Sequence, residues 1–245
     1  MISRLLYKFC KQYCDRHNGE NNDSIETNGE LRFLRTHMPF CETVFDVGAR
    51  QGDWTALALA MNPHAAVHCF EPAGIPYRGL LKRGFPDAVR CNNIGLSSVK
   101  GTRTLYLRVG SVYRRSGLVA HPPGAISSAT ETAGFDTLDN YCAEHAVRRI
   151  DFLKLDVEGH EMEVLRGGLG MLGSESIRRI QFEYGGCTID ARVLLKDFFD
   201  LFADRPYRFF KIVPRRLEPI DEYDQRLENF QYKNFAVLHN SILNA

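Results

Sequence analysis

Excess charge of one sign is missing from this sequence: 31 lysines and arginines stand against 30 aspartates and glutamates, a formal net charge of +1. With no overall field to attract a polyanion, nucleic acid is excluded as a default partner. Long hydrophobic runs are missing too. No apolar stretch approaches the roughly 18 residues of a membrane span, and the opening residues are interrupted by Arg4, Lys8, Lys11 and Asp15, unlike a signal peptide. Cysteine is present without order: the seven, at 10, 14, 41, 69, 91, 142 and 187, form no C-x-x-C pair. That spacing argues against a disulfide framework or a zinc site and predicts reduced, mostly buried thiols in a cytoplasmic protein. His160-Glu161 opens no zinc-protease motif either, because position 164 is valine.

What is present suffices for one core: 245 residues, 44% hydrophobic and 25% charged, fall in the range of one α/β domain. Residues 1–40 read as a leading helix and flexible linker, and 41–245 as the domain proper. In the leader, Leu5, Leu6, Phe9 and Tyr13 lie among basic residues at helical spacing. Such a stripe is expected to pack on the domain, the alternative being contact with a membrane surface. The stretch 17–30, HNGENNDSIETNGE, is polar and rich in Asn and Gly, which predicts a flexible connection.

From residue 41 onward, apolar strand-like runs at 43–47, 66–70, 88–94, 150–157, 177–184, 207–213 and 234–239 alternate with helical patterns at 54–61, 77–83, 138–145, 161–172 and 192–202. The alternation predicts a mostly parallel, doubly wound sheet with helices on both faces. Residues 102–108 read as an extra strand. The stretch 109–136 carries little regular pattern, which predicts a substrate loop, with Tyr113, Arg114, Arg115 and His121 as candidate acceptor contacts.

The run VFDVGARQGDWT, residues 44–55, is a buried strand entering two glycines and a helix start. Gly48 and Gly52 are expected to let the backbone approach a ligand, and Asp46 to accept hydrogen bonds from a cationic one. The spacing is D-x-G-x-x-x-G, not the G-x-G-x-x-G of a dinucleotide site. An acid where pyrophosphate would sit favours a ligand bearing an amino group, so S-adenosylmethionine is preferred over NAD. Glu71, 25 residues beyond Asp46 at the next strand end, suits a ribose. Asn93 suits an adenine edge, although Asn pairs also cap turns.

The fourth strand leads into DFLKLDVEGHEME, residues 151–163. Alternation places Lys154 and Asp156 on one face of a buried strand, where an ammonium needs an opposite charge, for which Glu183 is the candidate. Asp156, Glu158, His160 and Glu183 collect at the carboxyl edge of the sheet, where ligands bind. Three roles remain open for them: general base on an acceptor hydroxyl, oxygen ligands for a divalent cation, or a salt-bridge and capping network.

With DVGARQGDWT, CFEP, NNIGLS, Ser127-Ser128, FDTLDNYC, IDFLKLDVEGHEMEVLRGG, IQFEYGG, LLKDFF and LENFQYKNFAVL in this order, the chain resembles the FkbM family of S-adenosylmethionine-dependent methyltransferases over about residues 43–239. The resemblance implies a Rossmann-like class I methyltransferase sheet of seven strands with a reversed final hairpin. It places Asp46, Gly48 and Gly52 at the methionine end of the cofactor, Glu71 at the ribose and Asn93 near adenine, with Asp156 at the same site. It also implies O-methylation of a saccharide, glycolipid or secondary metabolite, with Asp156, Glu158, His160 and Glu183 as catalytic candidates. The alternative is a non-catalytic binding module that keeps the fold. A nucleic-acid methyltransferase would need a base-flipping pocket and a basic face, for which no sequence feature speaks.

Overall fold

The computed structural model describes residues 2–108, 116–117 and 128–243. Tyr113, Arg114, Arg115, His121 and Ser127 lie outside the described residues. Among the described residues there are twelve strands: β1 Thr43–Val47, β2 Ala66–Phe70, β3 Val89–Asn92, β4 Gly95–Leu96, β5 Gly101–Arg108, β6 Ser116–Gly117, β7 Ser128–Asp136, β8 Phe152–Leu155, β9 Arg179–Tyr184, β10 Tyr207–Val213, β11 Arg216–Ile220 and β12 Lys233–His239. The helices are α1 Ile2–Asn18, α2 Glu30–His37, α3 Asp53–Met61, α4 Gly74–Leu81, α5 Leu138–Glu144, α6 Glu161–Arg166, α7 Leu169–Gly173, α8 Gly186–Ala191 and α9 Leu195–Phe202.

The principal sheet has eight strands in the order β11-β10-β12-β9-β8-β1-β2-β3. Its strands run parallel from β9 to β3, and the central ones, β9, β8 and β1, are buried on both faces, which is why they read as apolar runs. The chain then reverses: β12 is antiparallel to both β9 and β10. Seven of the strands are those expected. The eighth, β11, pairs antiparallel with β10 at the edge and escaped detection because RLEPI is short, charged and interrupted by proline.

A second sheet, β4-β7-β5-β6, corrects the reading of residues 109–136. The last nine residues of that stretch form β7, antiparallel to β5 along its whole length. Its sequence, SATETAGFD, offers few large apolar residues, so hydropathy hides a strand that is specified by non-local pairing. The single helix expected at 161–172 is two, broken at Gly167-Gly168. A Cβ on Gly167 would lie 2.1 Å from the Ser97 carbonyl oxygen, so only glycine lets these backbones meet there.

Strand alternation divides the core between the two faces of the sheet. Phe45, Leu153, Leu155, Phe182 and Phe235 pack toward α5, α6 and α9. Val44, Val67, Phe152 and Leu238 pack toward α2, α3 and α4. On that second side α2 contributes Phe33 and Leu34, with the Phe33 ring 5.5 Å from that of Phe152. Burying such side chains contributes about 1.5–3 kcal/mol each. The stretch 17–30, read from composition as flexible, carries a buried Glu20 whose carboxylate accepts bonds from Lys233, Asn229 and Lys211. Helix α1 forms, but it does not pack as expected: Leu5, Leu6, Phe9 and Tyr13 are 73%, 60%, 68% and 68% exposed.

Candidate functional site

Gly48 ends β1 at φ 85° and Gly52 caps α3 at φ 80°, both in the left-handed region that favours glycine. A Cβ on Gly48 would lie 1.9 Å from the Asp156 carbonyl oxygen, and one on Gly52 would lie 2.7 Å from Leu80. The protein's own close packing therefore favours glycine at both positions. The turn brings β1 against the end of β8, and this builds the site.

Lys154 sits opposite Asp46 in the β1–β8 register and opposite Gln181 in the β8–β9 register. It is 6% exposed, with its Nζ 2.9 Å from Asp46 Oδ1, 3.5 Å from Asp156 Oδ2 and 5.7 Å from the centre of the Trp54 ring. Its buried counter-ion is thus Asp46, not the Glu183 expected from the sequence. Asp46 is fully buried and accepts a second bond, 2.7 Å, from Thr55 Oγ1. Its carboxylate faces the protein and holds Lys154 in place.

Beyond Lys154 opens a cavity of about 200 Å³. Gly48 and Arg50, Trp54 and Leu57 of α3, Asp156, Gln181 and Glu183 of β9, Tyr232 and Asn234 form its walls. Asp23, Ile25 and Glu30 close it from the leading segment. Its electrostatics are acidic. Burial, the neighbouring charges of Asp156, Glu158 and Glu161, and a hydrogen bond with Asp156 push the Glu183 carboxyl well above the usual range. Glu30 is also raised, chiefly by burial and then by Asp156, and accepts a 2.6 Å bond from Gln181 Nε2. Two buried atoms of the walls, Trp54 Nε1 and Gln181 Oε1, have no partner. A buried orphan costs about 1–3 kcal/mol, and both of these atoms belong to residues that line the cavity.

The remaining sequence candidates stand elsewhere. Glu71 is buried, accepts from the Arg50 and Ala73 amides at 2.9 and 2.8 Å, and is pushed up to about 7 by burial. Asn93 Nδ2 donates to the Glu71 and Pro72 carbonyls, holding the turn after β2. Glu158 adopts φ 55° and accepts a 3.1 Å bond from Cys187 Sγ. His160 points to the second sheet, 2.9 Å from Ser97 Oγ and edge-on to Phe135, and burial pushes it down to about 4. Of the four catalytic candidates, Asp156 and Glu183 line the cavity. Among the described residues, no group of three or more His, Cys, Asp and Glu side chains could hold a metal ion.

Sequence reasoning passed over Trp54, Gln181 and Glu30. Trp54 is the chain's one tryptophan and directly follows the Gly52-Asp53 turn, which was an available signal. Gln181 was another, a polar residue in the middle of an apolar strand.

Glu161 gives the loop between β8 and α6 a titratable lock. Fully buried, it accepts from the Val157 and Gly159 amides at 3.0 and 3.3 Å and is pushed up to about 7 from an ordinary 4.5, mainly by burial. Between pH 4.5 and 7 the unfolded chain has released this proton while the folded chain keeps it, so stability falls as pH rises through that window and levels off above it. Glu161→Gln keeps the acceptor and removes the titration. Urea unfolding across that window is expected to show a decline smaller than that of the wild type by up to about 3 kcal/mol. An unchanged slope would place the titration on another group.

Comparison with known proteins then decides the lineage. Residues 46–233 match the family described as the methyltransferase FkbM domain. The chain belongs to this family. Among curated relatives, it is 25% identical over 154 residues to the 2-O-methyltransferase NoeI of Sinorhizobium fredii, covering 58% of this chain and 61% of that one. It is 29% identical over 217 residues to the methyltransferase sdnD of Sordaria araneosa, covering 74% and 83%. The chain thus spans about three fifths of the first relative. The crystal structure of methyltransferase FkbM from Methylobacillus flagellatus KT superposes with a TM-score of 0.52 at 15% identity, over 81% of this chain and 43% of that one. The fold of this FkbM-family protein is accordingly that of a class I methyltransferase, with β11 and the second sheet added to the seven expected strands.

Proposed function

We propose that this chain is an S-adenosylmethionine-dependent O-methyltransferase whose acceptor is a hydroxyl of a saccharide, glycolipid or secondary metabolite. The observation that carries the reading is the acidic cavity behind Gly48 with its unpartnered donor and acceptor. A zwitterionic amino-acid group complements it: Trp54 Nε1 would donate to a carboxylate and Gln181 Oε1 would accept from an ammonium, beside the carboxylates of Glu30 and Asp156. At about 200 Å³ the cavity is smaller than the roughly 300 Å³ of whole small-molecule sites, which matches the methionine end of the cofactor and leaves the nucleoside outside. We assign the ribose hydroxyls to Glu71, whose oxygens keep spare lone pairs beside their amide bonds, and the adenine edge to Asn93. The relative named a 2-O-methyltransferase supports oxygen as the acceptor atom.

When bound, the cofactor supplies a methyl group on a positively charged sulfur. The residues of this chain do the rest. Lys154, fixed by Asp46, holds Asp156 at the cavity mouth, where it forms a pair with Glu183, whose carboxyl is held well above the usual range by burial and the neighbouring acids. The pair takes the proton of the acceptor hydroxyl as its oxygen gains the methyl, and Gly48 keeps the β1 turn tight against the same loop. Glu158 and His160 then act as supports of the neighbouring loops. The methyltransferase domain is assigned to residues 41–245, with residues 1–40 as a leading segment that lends Glu30 to the cavity wall. A cytoplasmic setting is supported by seven cysteines spaced without order and with no C-x-x-C pair.

Trp54→Phe tests the assignment with little change of shape. Loss of one hydrogen bond, about 1–1.5 kcal/mol, is expected to weaken S-adenosylhomocysteine binding roughly tenfold in calorimetry while the melting temperature holds. Unchanged affinity would remove Trp54 from the site.

A further inference from the structure

Helix α1 presents two opposed faces. At 3.6 residues per turn, Leu5, Leu6, Phe9 and Tyr13 share one side, and Arg4, Lys8 and Lys11 the other. The four apolar side chains are 60–73% exposed. Among the described residues, the helix's hydrogen bonds beyond its own turns run through Asp15 at its C-terminal end, to the Glu20 amide and to Asn21 Nδ2. Between its second half and the turn at 214–216 lies an open recess of about 1000 Å³, into which Phe9, Tyr13, Arg16, Arg215 and Arg216 project. The acids at this recess are engaged: Asp15 with Lys11 at 2.6 Å, Glu20 with Lys233 at 2.9 Å. Arg216 pairs with Glu218, and Arg215 is exposed.

Charge selects the occupant. Four basic side chains against one acid leave a second copy of α1 with no complementary partner, since paired helices match acids to bases along their flanks. A helix with aromatic and leucine residues on one face and Lys and Arg on the other matches the interface of a bilayer that carries anionic headgroups. Among the described residues no helix is long and apolar enough to cross a membrane, so the contact is one of lying on the surface.

We propose that α1 and the 214–216 turn bind an anionic lipid surface, with Leu5, Leu6, Phe9 and Tyr13 entering the headgroup–acyl boundary and the basic residues meeting phosphate. The inference is independent of the proposed methyl transfer, because it concerns a face separated from the cavity by the wall of residues 20–30. Segment 20–30 lines both spaces: Asn21, Asn22 and Thr27 on the recess, Asp23, Ile25 and Glu30 on the cavity.

The test is co-sedimentation of the full chain with vesicles of pure phosphatidylcholine and with vesicles containing 30% phosphatidylglycerol, a probe composition of roughly the charge density at which basic segments respond. Binding to the anionic vesicles at least tenfold tighter than to the neutral ones is expected, with loss in Leu5→Glu/Phe9→Glu and weakening of at least tenfold in Arg4→Gln/Lys8→Gln/Lys11→Gln. All five positions are exposed, so an unchanged melting temperature verifies that the fold is intact. Absence of binding, equal binding to both vesicle types, or equal binding by the substituted chains would overturn the proposal. So would light scattering that shows Leu5→Glu/Phe9→Glu converting a dimer to a monomer with no vesicle binding, which would assign the face to a second copy.

Discussion

Lys154→Met is expected to destabilise the fold by about 3–5 kcal/mol, because it leaves the Asp46 carboxylate buried without its counter-charge. Nothing else near Asp46 can replace the ammonium: Thr55 offers a neutral hydroxyl 2.7 Å away, and the carboxylate is fully buried. The reverse single change, Asp46→Leu, leaves Lys154 with Asp156, 3.5 Å away, as its counter-charge and is expected to cost less. The double variant Lys154→Met/Asp46→Leu behaves differently, since apolar groups of similar volume replace a buried pair at little or no net cost. Most of the lost stability should return, whereas cofactor affinity should not, because Asp156 then lacks the charge 3.5 Å away that orders it. Chemical denaturation of the three variants reads this cycle directly. Additive losses in the double variant would mean that the two side chains are not coupled.

The second large effect concerns turnover. Glu183→Gln preserves a hydrogen bond to Asp156 but cannot accept or release a proton, and Asp156→Asn removes the charge of the pair. Each is expected to lower kcat by roughly 100- to 10,000-fold, the range of a lost general base, with cofactor dissociation constants changed only a few-fold in Glu183→Gln. The double substitution should cost little more than either single one, as residues that act as a unit are not additive. Transfer of label from methyl-tritiated S-adenosylmethionine into a pool of saccharide acceptors, measured at saturating cofactor, checks both statements. Comparable turnover in His160→Ala would agree with its position against Ser97 and Phe135, away from the cavity.

The sheet was legible where its strands carry apolar runs, in the parallel part and in β10 and β12. Strands such as FLKL and TVFDV are buried on both faces, so local composition reveals them without knowledge of neighbours. Strand β7 and helix α2 were not legible, for one physical reason: their stability comes from partners distant in sequence. For β7 the partner is β5, and for α2 it is Phe152. The candidate site divides in the same way. Asp156 and Glu183 could be brought together from strand ends alone, because adjacent parallel strands deliver their carboxyl ends to one edge. The counter-ion of Lys154 was misjudged because it depends on register: Asp46 lies directly opposite, whereas Glu183 lies two residues beyond the Lys154–Gln181 pair. The bond from Gln181 to Glu30 joins residues 151 apart, a contact that no local pattern announces.

Crystals grown with S-adenosylhomocysteine would examine the acidic cavity most directly. Density for the amino-acid end behind Gly48, with its carboxylate on Trp54 Nε1 and its ammonium on Gln181 Oε1, is the expected result. A nucleoside seated elsewhere, with that donor and acceptor still unpartnered, would contradict the assignment of this cavity to the cofactor.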